Sequence, residues 1–176
     1  MMEAKYVGIY SSAVAIAEAW YFLPNIIMPA LFPAIINAKK TSEQIYHDRI
    51  RKLAIFLLIL SVGIAVFTTI FAPLIIKIIY GEAFIGGVII LKIYVWSNVG
   101  TFLGMLMGSY LIAENKKIIL TLVAFVPMVI NVILNLLLIP KYGIVGSAYA
   151  TLIAYSSGPF CLLFFKDIRN KIIKFN

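Results

Sequence analysis

One cysteine, one histidine, seven acidic residues and little charge of any kind are spread over 176 residues. Each scarcity removes a class of chemistry. Cys161 has no second thiol for an intramolecular disulfide or a multi-cysteine metal site, so it reads as a small apolar filler. His47 stands in a charged stretch, is expected to be solvated, and has no companion histidine with which to form a metal-ligand pattern. No metal and no cofactor are expected. Phosphate-cradling glycine loops, HExxH motifs, glycine-rich dinucleotide turns and nucleophile triads are all missing. The chain is therefore not read as an enzyme, and neither ATP hydrolysis nor any other hydrolytic step is expected within it. A cleavable signal peptide is not expected either: MMEAKYVGIYSS carries both acid and base and runs into a hydrophobic stretch too long for a signal core.

What the chain has is hydrocarbon. Hydrophobic residues make up 63% and charged residues 12%, and the mean hydropathy is +1.04. A water-soluble domain does not carry that balance, so the fold class expected is all-α integral membrane. Its first partner is the lipid bilayer. The formal charge of +8 is explained by topology, because cytoplasmic loops retain Lys and Arg, and no nucleic-acid partner is read from it.

About 20 apolar residues at 1.5 Å each cross the hydrocarbon core. Five stretches reach that length, at about residues 8–37, 53–79, 88–113, 118–139 and 144–165. Long runs without period-2 alternation do not make a transmembrane barrel. Eleven of the fifteen basic residues fall on one side: Lys39, Lys40, Arg49, Arg51 and Lys52 after the first stretch, Lys116 and Lys117 after the third, and Lys166, Arg169, Lys171 and Lys174 in the tail. Lys5, Lys77, Lys92 and Lys141 lie in or near the opposite connections. The positive-inside rule then gives a multi-pass protein of the cell (cytoplasmic) membrane with Met1 outside and a basic cytoplasmic tail at 167–176. An outside start after so few polar residues leads to the expectation of further helices upstream.

Several polar residues fall at membrane depth. Glu18, about ten residues into the first stretch, must face a cavity or a partner. It is open to several readings: a proton or cation site, a contact to a bound substrate, a helix-packing hydrogen bond by a protonated acid, or a shallower placement. Lys92 can meet a diphosphate inside a cavity or snorkel to the headgroups, and Lys77, near the Tyr80-Gly81 turn, is expected to snorkel. Asn131 and Asn135 share a helix face and are expected to bridge to a neighbouring helix. Asn98 and Thr101, with Gly100, Gly104 and Gly108, form a polar and small-residue stripe at the spacing of close helix approach. Pro24, Pro29 and Pro33 are expected to bend the first segment, either as a static kink or as a hinge for alternating access.

The connection IPKYG closes the fourth stretch. Pro140 lacks an amide donor and is expected to end the helix near Ile139. Gly143 can take positive φ, and Gly146 opens the fifth helix with little bulk so that it can lie close to a neighbour. The resulting run, NVILNLLLIPKYGIVGSAYATLIAYSSG, resembles the eleventh-to-twelfth helix hairpin of Wzx-type polysaccharide flippases, in the multidrug/oligosaccharidyl-lipid/polysaccharide exporter superfamily. YVGIYSSAVAIAEAWYFLPNIIMPALFPAI, APLIIKIIYGEAFIGGVIIL and GSYLIAENKK resemble, in order, the eighth helix, the outer end of the ninth with the turn to the tenth, and the exit of the tenth. The resemblance spans about residues 6–166. It implies about five transmembrane helices forming most of one lobe of a two-lobed transporter (residues 1–166), with the N-terminal lobe absent or supplied by a partner subunit. It also implies a lipid-linked glycan on a polyprenyl phosphate or diphosphate carrier as substrate, moved by alternating access. The readings kept beside it are a MATE-type drug or cation antiporter and a non-transporting scaffold subunit of an envelope glycan assembly complex.

Overall fold

The computed structural model describes residues 4–161, and these are helical without a strand. The basic tail at 167–176 and the expected end of the fifth segment at 162–165 lie outside the described residues, as does the side chain of Cys161. Seven α-helices follow in order: α1 Ala4–Ala19, α2 Phe22–Lys39, α3 Glu43–Tyr80, α4 Gly87–Tyr94, α5 Ser97–Ala113, α6 Lys117–Tyr142 and α7 Ile144–Cys161, with a 3₁₀ turn at Glu82–Phe84 before α4. Four stretches, Lys5–Lys39, Glu43–Tyr80, Gly87–Ala113 and Lys117–Tyr142, are long and apolar enough to cross a membrane. The protein is an all-α, multi-pass integral membrane protein.

The first expected segment is two helices. Its break lies at Trp20–Tyr21, just ahead of Pro24, while Pro29 and Pro33 sit inside a continuous α2. Proline at 24 cannot donate to the Trp20 carbonyl. The chain tightens instead, with Leu23 N–H bonding Trp20 O at 3.1 Å and Tyr21 N–H bonding Glu18 O at 2.9 Å. These are i→i+3 bonds, and they take the Tyr21 amide away from its helical acceptor, the Ala17 carbonyl.

A second break divides the expected 88–113 segment at Val95–Trp96, with bonds from Trp96 N–H to Ile93 O and from Asn98 N–H to Val95 O. Neither proline nor glycine sits in this break. Tertiary hydrogen bonds from the residues flanking it, Tyr94 and Asn98, hold it.

The basic connection after the first segment is mostly helix. α3 starts at Glu43, with Ser42 in an extended N-cap conformation and an acid in the first turn. At 38 residues it is about 57 Å long, well beyond the hydrocarbon thickness. His47 is thus a helical residue, half-buried and packed with its ring 5.1 Å from that of Tyr46, rather than a solvated loop side chain. α6 likewise runs through Pro140 to Tyr142. A proline so near the end forfeits one backbone bond, and the helix stops where Gly143 takes φ 60° and donates to Ile139 O at 2.9 Å. α7 then doubles back along α6.

Two separate cores result. One joins α2, the first half of α3, α5 and α6 around Met28, Tyr46, Leu57, Phe102 and Tyr110. The other joins α1, the second half of α3, α4 and α7 around Ala13, Ala17, Ile76, Ile90 and Ala148. Along α3 the change from one to the other falls between Ile64 and Ala65, and the breaks in the other two segments likewise separate elements of the first core from elements of the second.

Candidate functional site

Where the two breaks meet, the last turn of α1 faces the ends of α4 and α5. Glu18 is half-buried there, and the hydroxyl of Tyr94 donates to its Oε1 at 2.7 Å. Asn98, wholly buried, donates from Nδ2 to Ala17 O at 2.9 Å. It thereby satisfies the carbonyl that the first break released, which would otherwise cost several kcal/mol in a lipid-facing bundle. Each break is therefore braced by a side chain flanking the other.

Aromatic hydroxyls surround this junction. The Tyr10 ring meets Tyr94 edge-on, centroids 6.4 Å apart, and Ser147 of α7 donates to the Tyr10 hydroxyl at 3.2 Å. Tyr21 and Thr101 bring their hydroxyls to 3.5 Å. Tyr21, Tyr94 and Tyr155 all lie within electrostatic reach of Glu18. Asn98 Oδ1 and Ser97 Oγ are buried without a hydrogen-bond partner among the described residues. The cluster offers carboxyl, amide and hydroxyl groups on three helical segments, an array suited to exchanging hydrogen bonds with a polyol.

Glu18 and Asn98 are brought to one junction. Lys92 stands two residues before Tyr94 on α4, half-exposed, with no hydrogen bond or ion pair to Glu18 among the described residues. Tyr94, Tyr10 and Tyr21 were not singled out from the sequence. A signal existed, because Tyr94, Asn98 and Thr101 recur at i, i+4 and i+7 and so share one helix face.

The remaining residues serve the bundle. Asn135 donates to Asn131 O at 2.8 Å and Oδ1 at 2.9 Å, and Asn131 donates to Thr151 Oγ1 of α7 at 3.3 Å. A Cβ on Gly146 would lie 2.4 Å from Leu138 O, so glycine there admits the α6 backbone. Lys77 forms an exposed ion pair with Glu82 at 2.6 Å, an arrangement worth little in free energy. At the opposite end, Lys39 pairs with Glu114 at 2.6 Å above a stacked Tyr46 and Tyr110, tying α2, α3 and α5 together.

Comparison with known proteins adds a family. A model described as "Polysaccharide biosynthesis protein" matches residues 1–88. The probable low-salt glycan biosynthesis flippase Agl15 of Haloferax volcanii is 25% identical over 156 residues, covering 88% of this chain and 33% of that protein. The chain thus spans about a third of the length of this curated relative. No solved structure matches it.

Proposed function

Because the chain belongs to the polysaccharide biosynthesis protein family, we propose that it forms most of one lobe of a flippase that moves lipid-linked oligosaccharide or polysaccharide precursors across the cell membrane by alternating access. The second lobe is then contributed by the rest of a longer chain or by a partner chain. The charge distribution supports an outside N-terminus and a cytoplasmic C-terminus.

The observation that carries this reading is the pair of facing helix breaks. Discontinuous helices place polar backbone and side chains at membrane depth, where transporters bind and pivot. Here the breaks lie between two cores that α3 passes through and that α7 joins, since it packs against α5 and α6 as well as α4, and the Tyr94–Glu18 and Asn98–Ala17 hydrogen bonds cross between the broken segments. Movement at the breaks strains those bonds and must be accommodated along α3 and α7, which bridge the two cores. In this reading Glu18, with Tyr94 and Tyr21, exchanges hydrogen bonds with glycan hydroxyls, and Asn98 holds the junction. Lys92 supplies a positive charge for the carrier phosphate from the neighbouring turn.

The test is Glu18→Gln in the complete two-lobed transporter, reconstituted in liposomes with a fluorescent lipid-linked oligosaccharide. Gln keeps an oxygen acceptor for Tyr94, so insertion and folding should be retained. Translocation should fall at least tenfold; a rate equal to wild type removes Glu18 from the pathway.

A further inference from the structure

α2 and α3 are joined through residues 40–42 and run back past each other, leaving a cavity of about 330 Å³ between them near the basic connection. This is within the size range of small-molecule sites. On the α3 side it is lined by Arg49, Lys52, Leu53 and Phe56. These recur at i, i+3, i+4 and i+7, so one helix face carries two cations nearer its start and then hydrocarbon. Leu31 and Ala34 of α2 line the opposite side. Leu53 is buried, whereas Leu31 and Phe56 are 47% and 49% exposed, so the groove opens sideways along its length. Ala34 contributes only a methyl group to its wall.

The two cations are placed but unmatched. Arg49 Nη1 donates to Ala34 O at 3.1 Å, which holds the guanidinium across the groove with most of its five N–H donors to spare. Among the described residues neither Arg49 nor Lys52 has an acidic partner. Asp48, one turn before Lys52, does not pair with it, and the ion pairs formed are Lys39 with Glu114 and Lys77 with Glu82. Lys39, Lys40 and Arg51 add positive charge to the same region.

A groove that is cationic at one end, apolar for the rest and open to the side is complementary to a lipid with an anionic headgroup. Basic pockets between transmembrane helices on the cytoplasmic side hold such headgroups. We propose that this groove binds one anionic phospholipid of the cytoplasmic leaflet, with its phosphate at Arg49 and Lys52 and an acyl chain passing Leu53 toward Phe56. The lipid is a resident of the fold rather than cargo. Leu31 lies ten residues beyond the Trp20–Tyr21 break, about 15 Å of helix, which separates the groove from the Glu18 junction. Because the groove is open along its side, it does not enclose a single chain as a carrier-selective site would. The inference rests on the cytoplasmic placement of this end and not on transport.

The experiment uses the full 176-residue chain in detergent, titrated separately with dioleoyl phosphatidylglycerol and dioleoyl phosphatidylcholine and read by native mass spectrometry. Wild type should take one phosphatidylglycerol at least tenfold more tightly than phosphatidylcholine. Lys52→Gln, which breaks no hydrogen bond among the described residues, should keep its circular dichroism and bind phosphatidylglycerol at least threefold more weakly. Arg49→Gln/Lys52→Gln should abolish the preference. Lys40→Gln/Arg51→Gln removes the same charge from outside the groove and should retain it. Ala34→Leu fills the groove without altering charge and should weaken binding at least tenfold.

Equal binding of the two lipids by wild type overturns the proposal. So does an equal loss in the two double variants, the result of diffuse attraction to a basic surface, and so does full binding to Ala34→Leu. Displacement of phosphatidylglycerol by an equal concentration of geranylgeranyl monophosphate overturns the assignment to a resident lipid. The readout is binding without translocation. A wild-type rate for the Glu18→Gln transporter therefore leaves this site standing, and loss of the lipid preference leaves the junction standing.

Discussion

Replacing Gly100 by Ala tests the packing that holds α5 against α7. The added Cβ would meet Tyr155 O at 2.4 Å, Tyr155 C at 2.6 Å and Ser156 N at 2.9 Å. All three are backbone atoms in the middle of a helix, so no rotamer change relieves them. An ordinary carbon–oxygen contact is about 3.3 Å, so the helices must separate by roughly 0.9 Å. Overpacking of this kind costs about 1–3 kcal/mol, and a backbone clash belongs at the upper end. Alanine recovers about 1 kcal/mol of helix propensity over glycine, leaving a net loss of about 2 kcal/mol. The control lies one turn away: Gly104→Ala adds its methyl to open space and should gain about 1 kcal/mol. The two variants should therefore differ by about 3 kcal/mol, roughly a hundredfold in the folding equilibrium. Reversible unfolding in mixed micelles with rising dodecyl sulfate, followed by far-ultraviolet circular dichroism, measures the difference. If Gly100→Ala unfolds at the same or a higher denaturant fraction than Gly104→Ala, the close approach of α5 to α7 is refuted.

Three further perturbations probe the junction and the hairpin. Tyr94→Phe keeps the ring against Tyr10 but removes the donor to Glu18, and should cost about 1–3 kcal/mol. A double-mutant cycle with Glu18→Ala should show coupling of about 0.5–3 kcal/mol, and strict additivity would sink the contact. Asn98→Leu leaves the Ala17 carbonyl without its donor, so it should lose about 1–3 kcal/mol and accelerate amide exchange around Tyr21; unchanged exchange counts against bracing by Asn98. Gly143→Ala forces a side chain onto φ 60°, ψ −142°, and should cost about 1–3 kcal/mol and open the α6–α7 hairpin to proteolysis; wild-type resistance would contradict that backbone conformation.

Much of the fold was readable from residue type and spacing because membrane insertion is a local criterion. Whether a stretch such as Glu43–Tyr80 crosses depends on summed transfer free energy along one helix. The hairpin was equally local: Gly143 supplies the positive φ within its own residue, and Gly146 supplies the missing bulk one turn later. Asn131 and Asn135 share a face by arithmetic.

The breaks were less legible. Pro24 announces a missing amide, but its position does not say that the chain will answer with i→i+3 bonds at Trp20–Tyr21 while Pro29 and Pro33 sit in continuous helix. The second break, at Val95–Trp96, carries no proline or glycine at all. It is held by hydrogen bonds from its flanking residues to partners 76 and 81 positions away in the chain.

By itself, then, the sequence determined membership of the membrane class, the placing of the long apolar helices, the α6–α7 hairpin and the presence of a carboxyl group within the first apolar stretch. Each follows from a free energy summed over neighbouring residues. Only the tertiary structure decided that Glu18 meets Tyr94, that Asn98 takes the carbonyl freed at Ala17, and that Gly100 is filled by backbone while Gly104 is left open. In a bundle that is apolar on every side, hydrophobicity does not choose which faces meet. That choice falls to hydrogen bonds and to steric fit between helices far apart in sequence.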